Sequence, residues 1–180
     1  MEFIDVIHAR TSIRDYSEKS VEEEKIDYVL ECAWLAPSGI NKQCWRFIII
    51  KNKEIIAQIA KTSVINRWLK TAPVVIVCCA DPTVSMTNNS IDYYTLDSSI
   101  AFEHLILAAT DVGLGTCWVA GFSEDKLKKL LEIPRRIRII ALTPLGYPVA
   151  QKGVVKQISK TLIRAKKRKT LKEIVHYEHW

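Results

Sequence analysis

The sequence predicts an α+β fold in which a central, largely antiparallel sheet is flanked by helices. Short apolar runs such as Val74 to Ala80 (VVIVCCA) have the length of buried strands. Apolar residues at Ile26, Val29, Leu30, Ala33 and Trp34 recur with helical spacing. The two kinds of segment mix without the strict β-α-β alternation of a doubly wound sheet.

In chain order, a short helix is expected over Glu2 to Ala9, then a polar turn, Arg10-Thr11-Ser12-Ile13-Arg14. Ser20 followed by Glu23 reads as a capping box that opens the helix ending near Pro37. Arg46 to Lys51 reads as a buried strand, Lys53 to Thr62 and Asn66 to Thr71 as helical, and Val74 to Ala80 as the strongest strand. Ser90 to Val112 follows; its middle, Ser98 to Ala109, carries few charges and suits a helix buried on most sides. Gly113-Leu114-Gly115 stops it. Thr116 to Ala120 is expected to be a short strand, Ser123 to cap a helix reaching Leu131, and Arg136 to Leu145 to form the last core strand. Residues 150–180 read as an extended basic arm with a short terminal segment, Leu171 to Trp180. The chain is expected to be one domain, residues 1–180. An arm of that length is odd inside one compact monomer and suits wrapping a second copy, a homodimer.

Composition excludes several classes. Of 180 residues, 48% are hydrophobic and 26% charged, an ordinary globular balance. No apolar run nears the ~18 residues of a membrane span, and acids stand where a signal peptide would be basic. Five cysteines, an odd number, without metal-ligand spacing, predict free thiols and a cytoplasmic location. The net charge of +6 is concentrated near the C-terminus, as in Lys166-Lys167-Arg168-Lys169. That strip lacks interleaved aromatics and any RNA-binding signature, so no nucleic acid is expected. His8, His104, His176 and His179 sit beside no evident nucleophile, which leaves no catalytic triad. Glu22-Glu23-Glu24 lies in a helix's first turn and suits its dipole.

Three segments can carry chemistry. Arg10, Ser12 and Arg14 would share one face of an extended turn and could meet one anion; the same turn also reads as a solvated basic loop. Ala36 to Trp45 (APSGINKQCW) offers Ser38, Asn41 and Gln43 to a heteroaromatic edge or sugar, with flexible backbone at Gly39. Its plainer reading is a helix cap leading to a strand whose Trp45 is core. Gly113 and Gly115 do not open a helix and lack a third glycine, so they are no dinucleotide loop. Ala120-Gly121, small residues at a strand end, can let a flat ligand approach backbone N–H groups, or simply turn the chain.

Taken together, these segments resemble the nitroreductase family of flavoproteins over nearly the whole chain. Arg10-x-Ser12-x-Arg14, Ala36-Pro37-Ser38-x-x-Asn41-x-Gln43-x-Trp45, the run Asp97 to Phe122, Pro144 to Pro148 and Arg168-Lys169-x-Leu171 stand in the family's order. Cys44 replaces the usual proline, and Ala120 stands where many members carry an acid. The resemblance implies a homodimer with two FMN sites at its interface. Arg10, Thr11, Ser12 and Arg14 would come from one chain, with Arg168 or Lys169 on the phosphate. Pro37, Ser38, Gly39 and Asn41 would come from the other, Gln43 would belong to the same cofactor-binding set, and the Ala120 and Gly121 amides would face the flavin N5 edge. It further implies ping-pong transfer from NADH or NADPH to a small acceptor, a nitroaromatic or quinone. No side chain would do the chemistry itself, and no metal is expected. A flavin-binding regulator with weak turnover and specialised dehalogenating or flavin-degrading members are the alternatives.

Overall fold

The computed structural model describes residues 1–63, 65–149 and 168–180. The chain divides into two units, Met1–Val149 and Ala150–Trp180. In the first, β1 (Trp45–Ile50), β2 (Val74–Ala80), β6 (Arg138–Gly146) and β5 (Gly115–Thr116) lie side by side in that order. Every neighbouring pair is antiparallel. A small separate hairpin joins β3 (Thr87–Asn88) to β4 (Ile91–Asp92).

All seven residues of β2 are buried, because both faces of the sheet are covered. Successive side chains alternate between two cores. Val74, Ile76 and Cys78 join Val29 and Ala33 of α2 (Glu23–Trp34) and Phe102 and Leu105 of α4 (Tyr93–Asp111). Val75, Val77 and Cys79 join Ile56 and Ile59 of α3 (Lys53–Lys61) and Leu127 of α5 (Glu124–Leu130). A bulge opposite Cys78 and Cys79 skips Ile140, so Ile139 and Leu142 of β6 face the same core. α1 (Phe3–Ala9) buries only Val6.

α4 stops as the glycine predicts. Gly113 adopts φ 77°, its N–H donates to Thr110 O at 3.1 Å, and Leu114 N–H donates to Ala109 O at 2.8 Å. This is a Schellman closure, which a side chain at Gly113 would strain. α4 buries one broad face, while Leu96 and Ile100 remain exposed. Among the described residues no helix is long and apolar enough to cross a membrane.

Four local expectations need correction. The Ser20–Glu23 capping box does not form: α2 starts at Glu23, with no side-chain cap. Its acids are held across the fold instead, Glu22 accepting from Tyr147 Oη at 2.6 Å and Glu23 from Lys51 Nζ at 2.6 Å. Trp34 falls off the buried face of α2 and is exposed. The segment after Gly113 pairs as a strand only at Gly115–Thr116, with an isolated bridge at Val119. There Cys117 N–H donates to the Thr143 side chain at 3.1 Å, which interrupts the backbone ladder. Ser123 stands at the N-cap of α5, but its side chain makes no capping bond, whereas the helical expectation for Asn66 to Thr71 holds in 3-10 form over Arg67–Thr71, which runs out just before Pro73.

In the second unit, Thr170 and Glu173 form a capping box around the short turn Leu171–Glu173. Most of the expected arm, residues 150–167, lies outside the described residues.

Leu142 is fully buried. Leu142→Ala is expected to lower the unfolding free energy by about 2–5 kcal/mol, measured in denaturant at fixed protein concentration. Burial pushes the Cys78 and Cys79 thiols up, Cys79 to about 12. Both should resist alkylation at mildly alkaline pH in the native protein and react once it is unfolded.

Candidate functional site

α1 delivers the first element of the site. Arg10 N–H still donates to Val6 O, at 2.9 Å, and the chain then straightens. Ser12 bridges Thr116 in parallel, and Ile13 N–H donates to Thr116 O at 2.8 Å. Gly115 permits this approach, since a Cβ there would fall 2.8 Å from Ile13 Cγ1. Buried Tyr16 closes the turn, its hydroxyl donating to Ile13 O at 2.7 Å.

Docked in this way, Ser12 lies beside Thr116, the residue before buried Cys117. Burial pushes the Cys117 thiol up, while Arg14, the Ser12 hydroxyl and Arg10 all pull it down. Arg10 also acts on Glu103 of α4, whose carboxyl is raised by burial and opposed by Arg10 and His104. The Arg14 guanidinium lies over the Trp68 ring, 5.9 Å from its centroid. Thr11 is exposed.

The second element is the turn Ala120–Phe122. Phe122 N–H donates to Ala120 O at 3.1 Å, a three-residue turn. In a trans peptide this points Gly121 N–H the opposite way from the Ala120 carbonyl. Neither the Ala120 nor the Gly121 N–H has an acceptor among the described residues. Asn66 anchors the turn, its Nδ2 donating to Gly121 O at 3.0 Å and to Ser63 Oγ at 3.1 Å. Asn66 and Trp68 thus join the two elements: one holds Gly121 and the other lies beneath Arg14. Neighbouring Trp118 is partly exposed and meets Phe102 edge-on at 4.7 Å.

The third element is the loop after α2. Gln43 N–H donates to Ser38 Oγ at 2.9 Å, and the Gln43 amide donates to Asn41 Oδ1 at 3.0 Å. Ile40, Asn41 and Gln43 all have positive φ, of 50°, 56° and 47°. Gly39 N–H donates to Asp97 Oδ1 at 3.1 Å. Pro37 and Asn41 are exposed, whereas Trp45 is core, packed with Ala36 and Ala101.

One chain therefore links Arg14 to the Gly121 turn through Trp68 and Asn66, but it leaves the Ser38–Gln43 loop elsewhere. That loop is tied to the first turns of α4 through Asp97, while the basic turn docks on β5, beyond the other end of α4. Arg168 and Lys169 belong to the second unit and are exposed within it. Asn66, Trp68 and Asp97 were not singled out from the sequence as site residues. Asn66 and Trp68 left no local signal, because each acts on a residue distant in sequence. Asp97 did leave one, an isolated acid at the head of an apolar helix.

The Nitroreductase family model matches residues 7–65 and 60–147. A putative NADH dehydrogenase/NAD(P)H nitroreductase from Archaeoglobus fulgidus is 34% identical over 155 residues, covering 84% of this chain and 88% of that protein. The FMN reductase (NAD(P)H) of Bacillus subtilis is 29% identical over 76% of this chain and 62% of its own length. Human iodotyrosine deiodinase 1 is 27% identical over 82% of this chain and 61% of its own length. Among solved structures, a nitroreductase family protein from Clostridium difficile 630 superposes with a TM-score of 0.84 at 32% identity, over 100% of both chains. An FMN-dependent nitroreductase from Clostridium difficile R20291 gives a TM-score of 0.78 at 26% identity, over 98% of this chain and 99% of that one. With its antiparallel sheet between helices and its basic turn docked on β5, this chain is a member of the nitroreductase family.

Proposed function

We propose that the protein is an NAD(P)H-dependent FMN oxidoreductase that passes reducing equivalents, by a ping-pong route, to a nitroaromatic, quinone or related small acceptor. The carrying observation is that the Arg10–Arg14 turn, docked on β5, is linked through Trp68 and Asn66 to the turn whose exposed Ala120 and Gly121 amides have no acceptor among the described residues. This donor set fits FMN. Its phosphate needs several cations, and its ring presents acceptor atoms to N–H donors. The relatives named for FMN and NAD(P)H support the same reading.

When bound, FMN supplies hydride acceptance and donation at N5. The chain's own part is to bind and orient. Arg10, Thr11, Ser12 and Arg14 would hold the phosphate and ribityl side. Arg14 also offsets negative charge on the ring. Ala120 and Gly121 offer their N–H groups to the N5 edge, a contact through backbone that needs no acidic side chain at position 120.

The active form is a homodimer in this reading, with Pro37, Ser38, Gly39, Asn41 and Gln43 supplied by the second copy. The separation of that loop from the basic turn within one chain supports it. So do the exposed apolar residues Phe3, Ile4, Trp34, Leu35, Leu96 and Ile100 on α1, the end of α2 and α4, which a second copy could cover. Beside it, a cleft of about 440 Å³ runs between α1, α2 and α4, lined by Phe3, Val6, Leu35, His104 and Leu107 among others. His104 Nδ1 lies 3.3 Å from Cys32 O at this cleft. The five free thiols agree with a cytoplasmic location.

The purified chain should bind FMN, bleach with NADH or NADPH under anaerobic conditions, and regain colour on adding a nitroaromatic or quinone. Iodotyrosine belongs in the same panel, to detect dehalogenation. A protein that holds FMN but never bleaches would be a flavin binder and not a reductase. Arg10→Ala and Arg14→Ala should each weaken FMN binding about 10- to 100-fold, the scale of one charge-assisted contact; unchanged affinity in both would remove them from the site. Light scattering should give twice the 20.5 kDa chain mass, and a monomeric holoprotein would contradict the shared site.

A further inference from the structure

Asp97 is the one acid within the buried face of α4. It is 4% exposed, and a carboxylate so deep needs partners to justify its desolvation. Oδ1 has one, Gly39 N–H, at 3.1 Å. Oδ2 has none among the described residues. Its surroundings are polar in an otherwise apolar layer. Cys44 Sγ lies 3.7 Å from Ser98 Oγ, and Asp97 and Ser85 both act on the Cys44 thiol. Core packing alone would favour an apolar residue at this point, so the carboxylate answers to the one group it holds.

That group belongs to a loop of strained backbone. Ile40, Asn41 and Gln43 sit in the left-handed region, which non-glycine residues occupy only when surrounding contacts impose it. The loop's other hydrogen bonds are internal: Asn41 N–H to Ser38 O at 3.0 Å, Lys42 N–H to Gly39 O at 3.2 Å, and Gln43 N–H to Ser38 Oγ at 2.9 Å. Arg46 reaches back to Gln43 O at 3.1 Å. Among the described residues, the Gly39–Asp97 bond is the one hydrogen bond from this loop to any part of the chain beyond Arg46. It spans 58 positions and fixes the loop to a long, well-packed helix.

We propose that Asp97 is the positioning residue of the Ser38–Gln43 loop. Through Gly39 N–H it anchors the left-handed backbone that presents Ser38, Asn41 and Gln43. The loop-holding role stands on the geometry alone; its consequence for FMN rests on the function proposed above. Asp97 touches no reacting atom in this scheme. It acts through the backbone it restrains, and an acceptor oxygen, charged or not, is what the position requires.

The test uses the full chain as wild type, Asp97→Ala and Asp97→Asn, first without FMN. Hydrogen exchange is followed in peptides covering residues 38–43 and, as a control, 74–80. Asp97→Ala should speed exchange in the loop about tenfold, the loss of one charge-assisted hydrogen bond, and leave β2 unchanged. Asp97→Asn should stay within about threefold of wild type, because its amide oxygen still accepts. A loop unchanged in Asp97→Ala, or loosened only in step with β2, overturns the positioning role. Wild-type protein provides a check that needs no variant to fold: the Gly39 amide should be protected and the neighbouring Ile40 amide should not. An unprotected Gly39 also overturns the proposal. FMN titration by fluorescence quenching then follows. A Kd about tenfold higher in Asp97→Ala, restored in Asp97→Asn, supports the link to the cofactor. A loosened loop with unchanged FMN affinity overturns that link. If wild type itself fails to bind FMN, the flavin reading fails while the exchange data still decide the role of Asp97.

Discussion

The fold depends on β2 being buried on both faces. A strand of seven apolar residues cannot present a wet side, so each face must be covered by helices. Alternation then assigns Val74, Ile76 and Cys78 to the layer of α2 and α4, and Val75, Val77 and Cys79 to the layer of α3 and α5. With β2 central, β6 fills one side and β1 the other. The far side of β6 is only briefly covered, by two residues of β5. Short pairing at that edge leaves room for the chain after α1 to dock and for unsatisfied amides to remain beyond Val119. The candidate site is a product of where the sheet runs out.

What was legible in the sequence follows the range of the forces involved. β2 was readable to the residue, because continuous burial writes itself into consecutive positions. The end of α4 was readable because Gly113 alone suits φ 77°. α2 was misread at its start because Ser20 and Glu23 satisfy a local rule, whereas Lys51 and Tyr147, distant in sequence, claim the acids. The strand after Gly115 was overextended because nothing in TCWVA reveals that the Thr143 side chain interrupts it.

The site shows the same division. Arg10, Ser12 and Arg14 could be picked out by their spacing, since an extended turn puts alternate side chains on one face. The residues that support them could not. Asn66 holds a carbonyl 55 positions away, Trp68 lies beneath Arg14, and Asp97 grips Gly39 across 58. Supporting contacts of this kind restrict motion of the groups that meet a ligand, and they turn a set of donors into a preorganised site.

The most direct measurement follows the Ala120 and Gly121 amides by NMR in the apoprotein as FMN is added. Both should exchange freely without FMN, then shift and gain protection in proportion to occupancy, while β2 amides stay as they were. If FMN binds tightly and these two amides neither move nor slow, the flavin edge lies elsewhere and the proposed site is wrong.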